Sequence, residues 1–128
     1  MKKPESWIVT LPWPPSTNQI WRNVAVGGKP RTLLSEKGRR FRAAAAQQCL
    51  ISRLAGMRLD GRLQVVLLAC PPDRRARDLD NMLKATLDAL THAGVWLDDS
   101  QIDLLTVQRG KVVKGGKVSV SVEVMDAL

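Results

Sequence analysis

Sulfur and imidazole are scarce in this chain, which has two cysteines and one histidine in 128 residues. Cys49 and Cys70 stand apart, with no further cysteine and no histidine cluster to join them. This excludes a disulfide framework and a zinc site, and it predicts two reduced thiols. Long apolar runs are also missing. None approaches the roughly 18–20 residues a membrane span needs, so no membrane role is expected. The opening Met1-Lys2-Lys3-Pro4-Glu5 leads into Trp7-Ile8-Val9-Thr10-Leu11 and then prolines, without the apolar core and cleavage site of a secretory signal. A cytoplasmic protein is expected. No Gly-rich loop precedes a Lys-Ser/Thr pair, which argues against a P-loop nucleotide enzyme. Repeats, low-complexity tracts and linkers are absent too, and the length suits one domain spanning residues 1–128.

Acidic residues are in the minority, 12 against 20 Lys and Arg, for a net charge of +8. Their distribution is uneven. Residues 20–77 hold 13 basic and 3 acidic side chains, whereas residues 78–103 hold six aspartates against Lys84 alone. The basic stretch suits a polyanion, bound through release of phosphate counterions. A passive polyanion binder has no use for half of its acids in 26 residues. The acidic segment must therefore do something else.

Ser6 to Leu11 is a β-branched apolar run stopped by Pro12-Trp13-Pro14-Pro15, hence a first strand and a rigid turn. Gly27-Gly28 between two short extended runs predicts an exposed hairpin over residues 22–34. Ser35 caps a helix reaching about Ala55, with Phe41, Ala45, Leu50, Ile51 and Leu54 as its apolar stripe. Cations at its start oppose the helix dipole, so Lys37, Arg39, Arg40 and Arg42 are not there for stability. Arg62 to Cys70 reads as a central strand covered on both faces. Leu79 to Ala93 is a second helix closed by Gly94. Two alternating strands follow, Ile102 to Val113 and Lys117 to Met125, with Lys114-Gly115-Gly116 as the turn of a closing hairpin. The order β-(hairpin)-α-β-α-β-β predicts an α/β (α+β) domain, a small mixed sheet packed by two main helices.

On a helical wheel with Asp80 at zero, Leu79, Met82, Leu83, Thr86, Leu87 and Leu90 fall between about 200° and 340°, facing the core. Asp80, Lys84 and Asp88 form one polar row. Asp78 precedes the helix, and Asp98-Asp99 arrive one helix length later, so convergence of Asp78, Asp80 and Asp99 on one point is easy to build. Taken singly, each feature has an ordinary explanation. Asp80 suits a cap, the row a solvated ladder, Asp98-Asp99 a turn, Arg74-Arg75-Ala76-Arg77 a loop, and His92 a partner for the helix terminus. Together they favour chemistry. Crowded carboxylates need a cation, and hard oxygens with retained waters suit Mg²⁺. Such an ion activates water against a phosphodiester, and a neighbouring lysine offsets the charge that develops.

The run Pro72-Asp73-Arg74-Arg75-Ala76-Arg77-Asp78-Leu79-Asp80-Asn81, then Lys84-Ala85, Asp88-Ala89-Leu90 and Gly94-Val95-Trp96-Leu97-Asp98-Asp99-Ser100-Gln101-Ile102, resembles the RusA family of Holliday junction resolvases. Thr10-Leu11-Pro12-Trp13-Pro14-Pro15-Ser16-Thr17-Asn18 and Lys114-Gly115-Gly116 extend the likeness over nearly the whole chain. Residues 20–34 depart from the family in length and basic pattern. The resemblance implies a homodimeric, Mg²⁺-dependent endodeoxyribonuclease, with Mn²⁺ as a substitute. It implies paired symmetric nicks in branched double-stranded DNA, the four-way junction, in a bacterial and often prophage setting. By matching position, Asp78, Asp80 and Asp99 are the metal ligands and Lys84 the catalytic lysine, with Asp98 a neighbouring alternative. Arg22, Lys29, Arg31, Lys37, Arg39, Arg40, Arg74, Arg75 and Arg77 are expected to contact the DNA backbone without reading bases. The rival readings are a non-catalytic branched-DNA-binding protein, and an enzyme acting on nucleotides or single-stranded ends.

Overall fold

Valines and leucines at alternate positions of three successive pairings dictate the architecture. In the computed structural model, which describes residues 6–125, β1 (Ser6–Pro12), β4 (Arg62–Cys70), β5 (Ile102–Arg109) and β6 (Lys117–Met125) form one sheet in the order β1-β6-β4-β5. Val9 and Leu11 of β1 pair with Val120 and Val118 of β6, and Val120 and Val122 lie opposite Leu67 and Val65 of β4. All of these are buried on one face. Against that face pack α2 (Glu36–Ile51) and α3 (Leu83–His92), through Phe41, Ala45 and Cys49 of the first and Ala85, Ala89 and Leu90 of the second. Between β1 and α2 lie a short helix α1 (Thr17–Ile20) and the hairpin β2 (Trp21–Val26) and β3 (Lys29–Leu34). Gly27 and Gly28 both take positive φ at the hairpin turn, 58° and 76°, the conformation expected from the sequence.

The mixed sheet, the hairpin and the two main helices agree with expectation, and four details do not. First, β5 and β6 are not a hairpin. β5 runs parallel to β4, and β6 lies antiparallel on the other side of β4. The cause is α3, which carries the chain from the carboxyl end of β4 back to the amino end of β5. The chain then leaves β5 at Gly110 and crosses the end of β4. There a Cβ on Gly110 would lie 2.8 Å from the Cys70 sulfur. Second, β4 is buried at Leu63, Val65, Leu67 and Ala69 but only partly covered at Gln64 and Val66, because helices occupy one side only. Third, the true stripe of α2 is Phe41, Ala45 and Cys49 at i,i+4 spacing. Leu50 and Ile51 are two-thirds exposed, and the helix stops at Ile51 because Arg53 takes φ 62°. Fourth, the second helix opens with a 3-10 turn, Leu79–Met82, before α3 begins.

Among the described residues, no helix is long and apolar enough to cross a membrane. Residues 1–5, including the basic opening, lie outside the described residues. Cys49 and Cys70 are free thiols, both buried, and burial pushes the Cys49 thiol up to about 11.

Gly38 is where the α2 start meets the base of the hairpin. A Cβ there would sit 2.8 Å from the Ile20 carbonyl oxygen and 2.8 Å from Leu34 Cδ1. The backbone oxygen cannot swing aside, so Gly38→Ala should destabilise the fold by about 1–3 kcal/mol. A urea titration would show this as a lower midpoint, and an unchanged midpoint would mean that this approach is looser than described.

Candidate active site

The loop after β4 is organised by Asp73. Its carboxylate accepts from the Arg75 backbone N–H at 3.0 Å and pairs with Arg77 Nη1 at 2.7 Å. The Arg77 guanidinium, and after it the Arg75 backbone, holds the Asp73 carboxyl down at about 2. Arg77 also lies over the Trp13 ring, 5.8 Å from its centroid. Arg109, the last residue of β5, donates to the Arg77 carbonyl at 2.7 Å. The side chain of Arg77 is thus largely spent on shaping the loop. Arg74 and Arg75 stay exposed, although Arg75 also approaches Asp73 at 3.7 Å.

This scaffold delivers Asp78 and Asp80 to the carboxyl end of β4 and β5. Asp78 occupies the cap position of the 3-10 turn but makes no side-chain capping bond. Asp80 lies within that turn and is exposed. A 3-10 turn advances about 120° per residue rather than 100°, so Asp80 leaves the row that the wheel assigned to it. Lys84 pairs with Asp88 at 3.3 Å, so only the second half of the predicted ladder forms. Among the described residues, neither Asp78 nor Asp80 has its carboxylate in an ion pair. Asp78, with Trp13, Gln19, Arg77 and Asn81, lines an open cleft of about 640 Å³ between the Pro14 turn and the loop. Thr17 closes one end by donating to the Asn81 carbonyl at 3.1 Å.

Asp98 and Asp99 separate into different roles. Asp98 caps the 3-10 turn Asp99–Gln101, accepting from the Ser100 N–H at 3.2 Å, and the Ser100 contacts hold its carboxyl below the usual range. Gln101 completes the box: its Oε1 accepts from the Leu97 and Asp98 N–H groups, both at 2.8 Å. Its Nε2 donates to the Leu59 and Gly61 carbonyls, both at 2.9 Å. Gln101 therefore pins the amino end of β5 beside the chain entering β4, a role not assigned from the sequence. The Asp98-x-x-Gln101 spacing was the available signal. Asp99, relieved of capping duty, is half-buried.

These placements divide the aspartates. Asp78 and Asp80 stand at the carboxyl ends of the parallel strands, and Asp99 at the amino end of β5. Between them lies the 10-residue α3, a separation on the order of 15 Å at 1.5 Å per residue. Among the described residues, no three His, Cys, Asp or Glu side chains gather closely enough to hold a metal ion. A single chain does not bring the three aspartates together. The pair Asp78 and Asp80 still suits a hard divalent cation, since such an ion takes one or two carboxylates and fills its remaining positions with water and phosphate oxygens.

The predicted DNA contacts lie in three places. Arg22, Lys29 and Arg31 are exposed on the β2–β3 hairpin. Lys37, Arg39 and Arg40 are exposed on the first turns of α2, where Arg40 pairs with Glu36 and Arg39 donates to the Leu34 carbonyl at 2.8 Å. Arg74, Arg75 and Arg77 form the loop beside Asp78. Lys37 and Arg40 also line a shallow groove with Trp13 and Phe41.

Exposed, unpaired carboxylates on a loop built from arginines suit a nuclease, in which one sign of charge binds phosphate and the other binds a cation that activates the attacking water. The chain belongs to the RusA family: the family profile described as "Endodeoxyribonuclease RusA" matches residues 12–125. It is 37% identical over 120 residues to "Crossover junction endodeoxyribonuclease RusA" of Escherichia coli strain K12, covering 94% of this chain and 96% of that protein. The relative of the same name from Enterobacteria phage 82 is 39% identical over 121 residues, again 94% and 96% of the two chains. The relative from Enterobacteria phage HK97 is 36% identical over 118 residues, 92% and 94%.

The Asp73–Arg77 pair gives the loop a pH signature. A carboxyl lowered to about 2 contributes stability in full above its unfolded value of about 3.9, and loses it as pH falls toward 2. Asp73→Asn should lower the urea midpoint at pH 6, and the gap to the parent should close near pH 2. Equal midpoints at pH 6 would remove the pair from the stabilising contacts.

Proposed function

We propose that this protein is a Holliday junction resolvase, a metal-dependent endodeoxyribonuclease that hydrolyses phosphodiesters in four-way DNA junctions by paired symmetric nicks. The observation that carries the reading is the exposed Asp78-x-Asp80 pair, in no ion pair among the described residues, within an arginine-built loop. A non-catalytic DNA clamp would have no reason to leave these carboxylates uncompensated beside DNA phosphate. The names of the relatives favour the enzyme as well.

Asp78 and Asp80 would hold the metal, with Mg²⁺ the ion their oxygens fit and Mn²⁺ its substitute, and the family pattern would make Asp99, which lies beyond α3 within one chain, a third carboxylate. When bound, that ion polarises a phosphoryl oxygen and lowers the pKa of water, so hydrolysis proceeds at neutral pH. Lys84, one turn beyond Asp80, would swing from Asp88 to offset charge on the pentavalent phosphorus. Water adds its oxygen to phosphorus, the bond to the 3′-oxygen breaks, and that oxygen takes a proton. The ends are a 5′-phosphate and a 3′-hydroxyl, ready for ligation. The hairpin cations, those at the start of α2 and those of the loop would hold the DNA backbone. A homodimer would match the two-fold symmetry of the junction and double the positive charge. The bacterial cytoplasm is its proposed compartment, and relatives in phages 82 and HK97 support a prophage setting.

Asp80→Asn, assayed on a synthetic four-way junction with Mg²⁺, should bind the junction and fail to nick it, a loss of about 100-fold or more. Undiminished nicking would refute the role of Asp80. The joint variant Lys29→Gln with Arg31→Gln should reduce the slope of log affinity against log salt by about 2 per protomer. An unchanged slope would take the hairpin off the DNA.

A further inference from the structure

The β2–β3 hairpin is a two-stranded sheet of its own, unpaired with the main sheet. Its register sorts the side chains onto two faces. On one face three rungs run from base to tip: Arg22 opposite Leu33, Val24 opposite Arg31, and Val26 opposite Lys29. Each rung joins one cation to one aliphatic chain. The other face seats Leu34 against Gly38 of α2, and there the Thr32 hydroxyl donates to the Asn23 side-chain oxygen at 3.2 Å. The rung face therefore looks away from α2. Val26 is 48% and Leu33 37% exposed, and neither they nor Val24 join the core cluster. Aliphatic chains at every rung do nothing for the fold.

Their setting selects what would cover them. Residues 21–34 hold three cations and no acid, so the face suits a polyanion. A ribbon of two strands about 4.8 Å apart fits the major groove of DNA, about 12 Å wide, and not the minor groove of about 6 Å. In that seat the long cations reach the phosphates of both groove walls, Arg22 from β2 and Lys29 and Arg31 from β3. The shorter aliphatic chains point to the floor, where the apolar group on offer is the C5-methyl of thymine. Three rungs about 7 Å apart cover about five base pairs at about 3.4 Å each.

The base of the ribbon is tied to the cleft. The Ser35 N–H donates to the Ile20 carbonyl at 2.6 Å, closing the base of the hairpin. Within α1, Thr17 donates to the Asn81 carbonyl at 3.1 Å, and Gln19 lines the cleft with Asp78. Whatever the ribbon reads thus lies at a fixed offset from Asp78.

We propose that the β2–β3 hairpin lies in the major groove of a junction arm, where Val24, Val26 and Leu33 read thymine methyl groups while Arg22, Lys29 and Arg31 hold the groove walls. The inference rests on the proposed junction-cleaving function and adds to it a sequence preference at a set distance from the cut.

Replacing thymine by uracil removes the methyl and nothing else, which makes the DNA the variable. Four-way junctions would carry a five-pair A·T block moved stepwise outward from the branch point, each made once with thymine and once with uracil. Binding is read by fluorescence anisotropy in EDTA, so that nothing is cut. One block position should bind about four-fold more weakly for each methyl lost from a contact. Val24→Ser joined to Val26→Ser, which touches no core residue, should erase that difference while keeping the slope of log affinity against log salt. Equal binding of thymine and uracil junctions at every block position would overturn the inference. So would sensitivity to inosine in place of guanine, which removes a minor-groove amino group, without sensitivity to uracil. A parent protein that nicks no junction with Mg²⁺ counts against the proposed function instead, because the methyl scan reads binding and is scored without cleavage.

Discussion

Parallel pairing of β4 with β5 is the constraint on which the remainder depends. Parallel neighbours need a crossover, and here α3 supplies it, covering the sheet with Ala85, Ala89 and Leu90 on the way. One consequence is structural: β6 is free to insert between β1 and β4, so β4, the most apolar strand, is flanked by β6 and β5. Another is chemical. The crossover begins at Asp78 and Asp80 and ends at Asp98 and Asp99, so the acidic residues of one segment sit at opposite ends of the sheet.

Electrostatics and fold reinforce each other at each end. At the carboxyl end, Asp73 draws in Arg77, and Arg109 secures the Arg77 carbonyl, so the loop is tied both to itself and to β5. Two carboxylates are then presented next to arginines without being neutralised by them. At the amino end, Asp98 and Gln101 absorb the capping demand and leave Asp99 available. In both places one aspartate is consumed by structure so that its neighbour can serve something else. An acid cluster in so cationic a chain is stable on these terms: each carboxylate is either hydrogen-bonded or solvated.

Much of this was legible in the sequence. Apolar β-branched runs located β1 and β4, alternation located β6, Gly27-Gly28 located the hairpin, and the spacing of the dense Asp-Arg-Lys segment pointed to metal-assisted phosphodiester hydrolysis, with the family resemblance pointing to the substrate. Topology was harder to read, because a glycine-containing link between two alternating strands suggests a hairpin, and only the parallel pairing set by α3 rules it out. The α2 stripe was misread because Cys49, small and sulfur-bearing, holds the core position that Leu50 and Ile51 seemed to claim. Asp80 was misplaced because a 3-10 start is invisible to a wheel drawn at α-helical pitch. The gap between Asp80 and Asp99 followed from the same source: helix length was counted, but the direction of the strand that follows was not.

On the proposed function, the acidic segment holds a divalent cation. Calorimetric titration of the protein with Mn²⁺, alone and with a four-way junction whose phosphorothioate linkages slow cleavage, measures this directly. Saturable uptake of at least one ion per chain, abolished by Asp78→Asn, is the predicted result. No uptake by the parent protein, with or without the junction, would contradict the account.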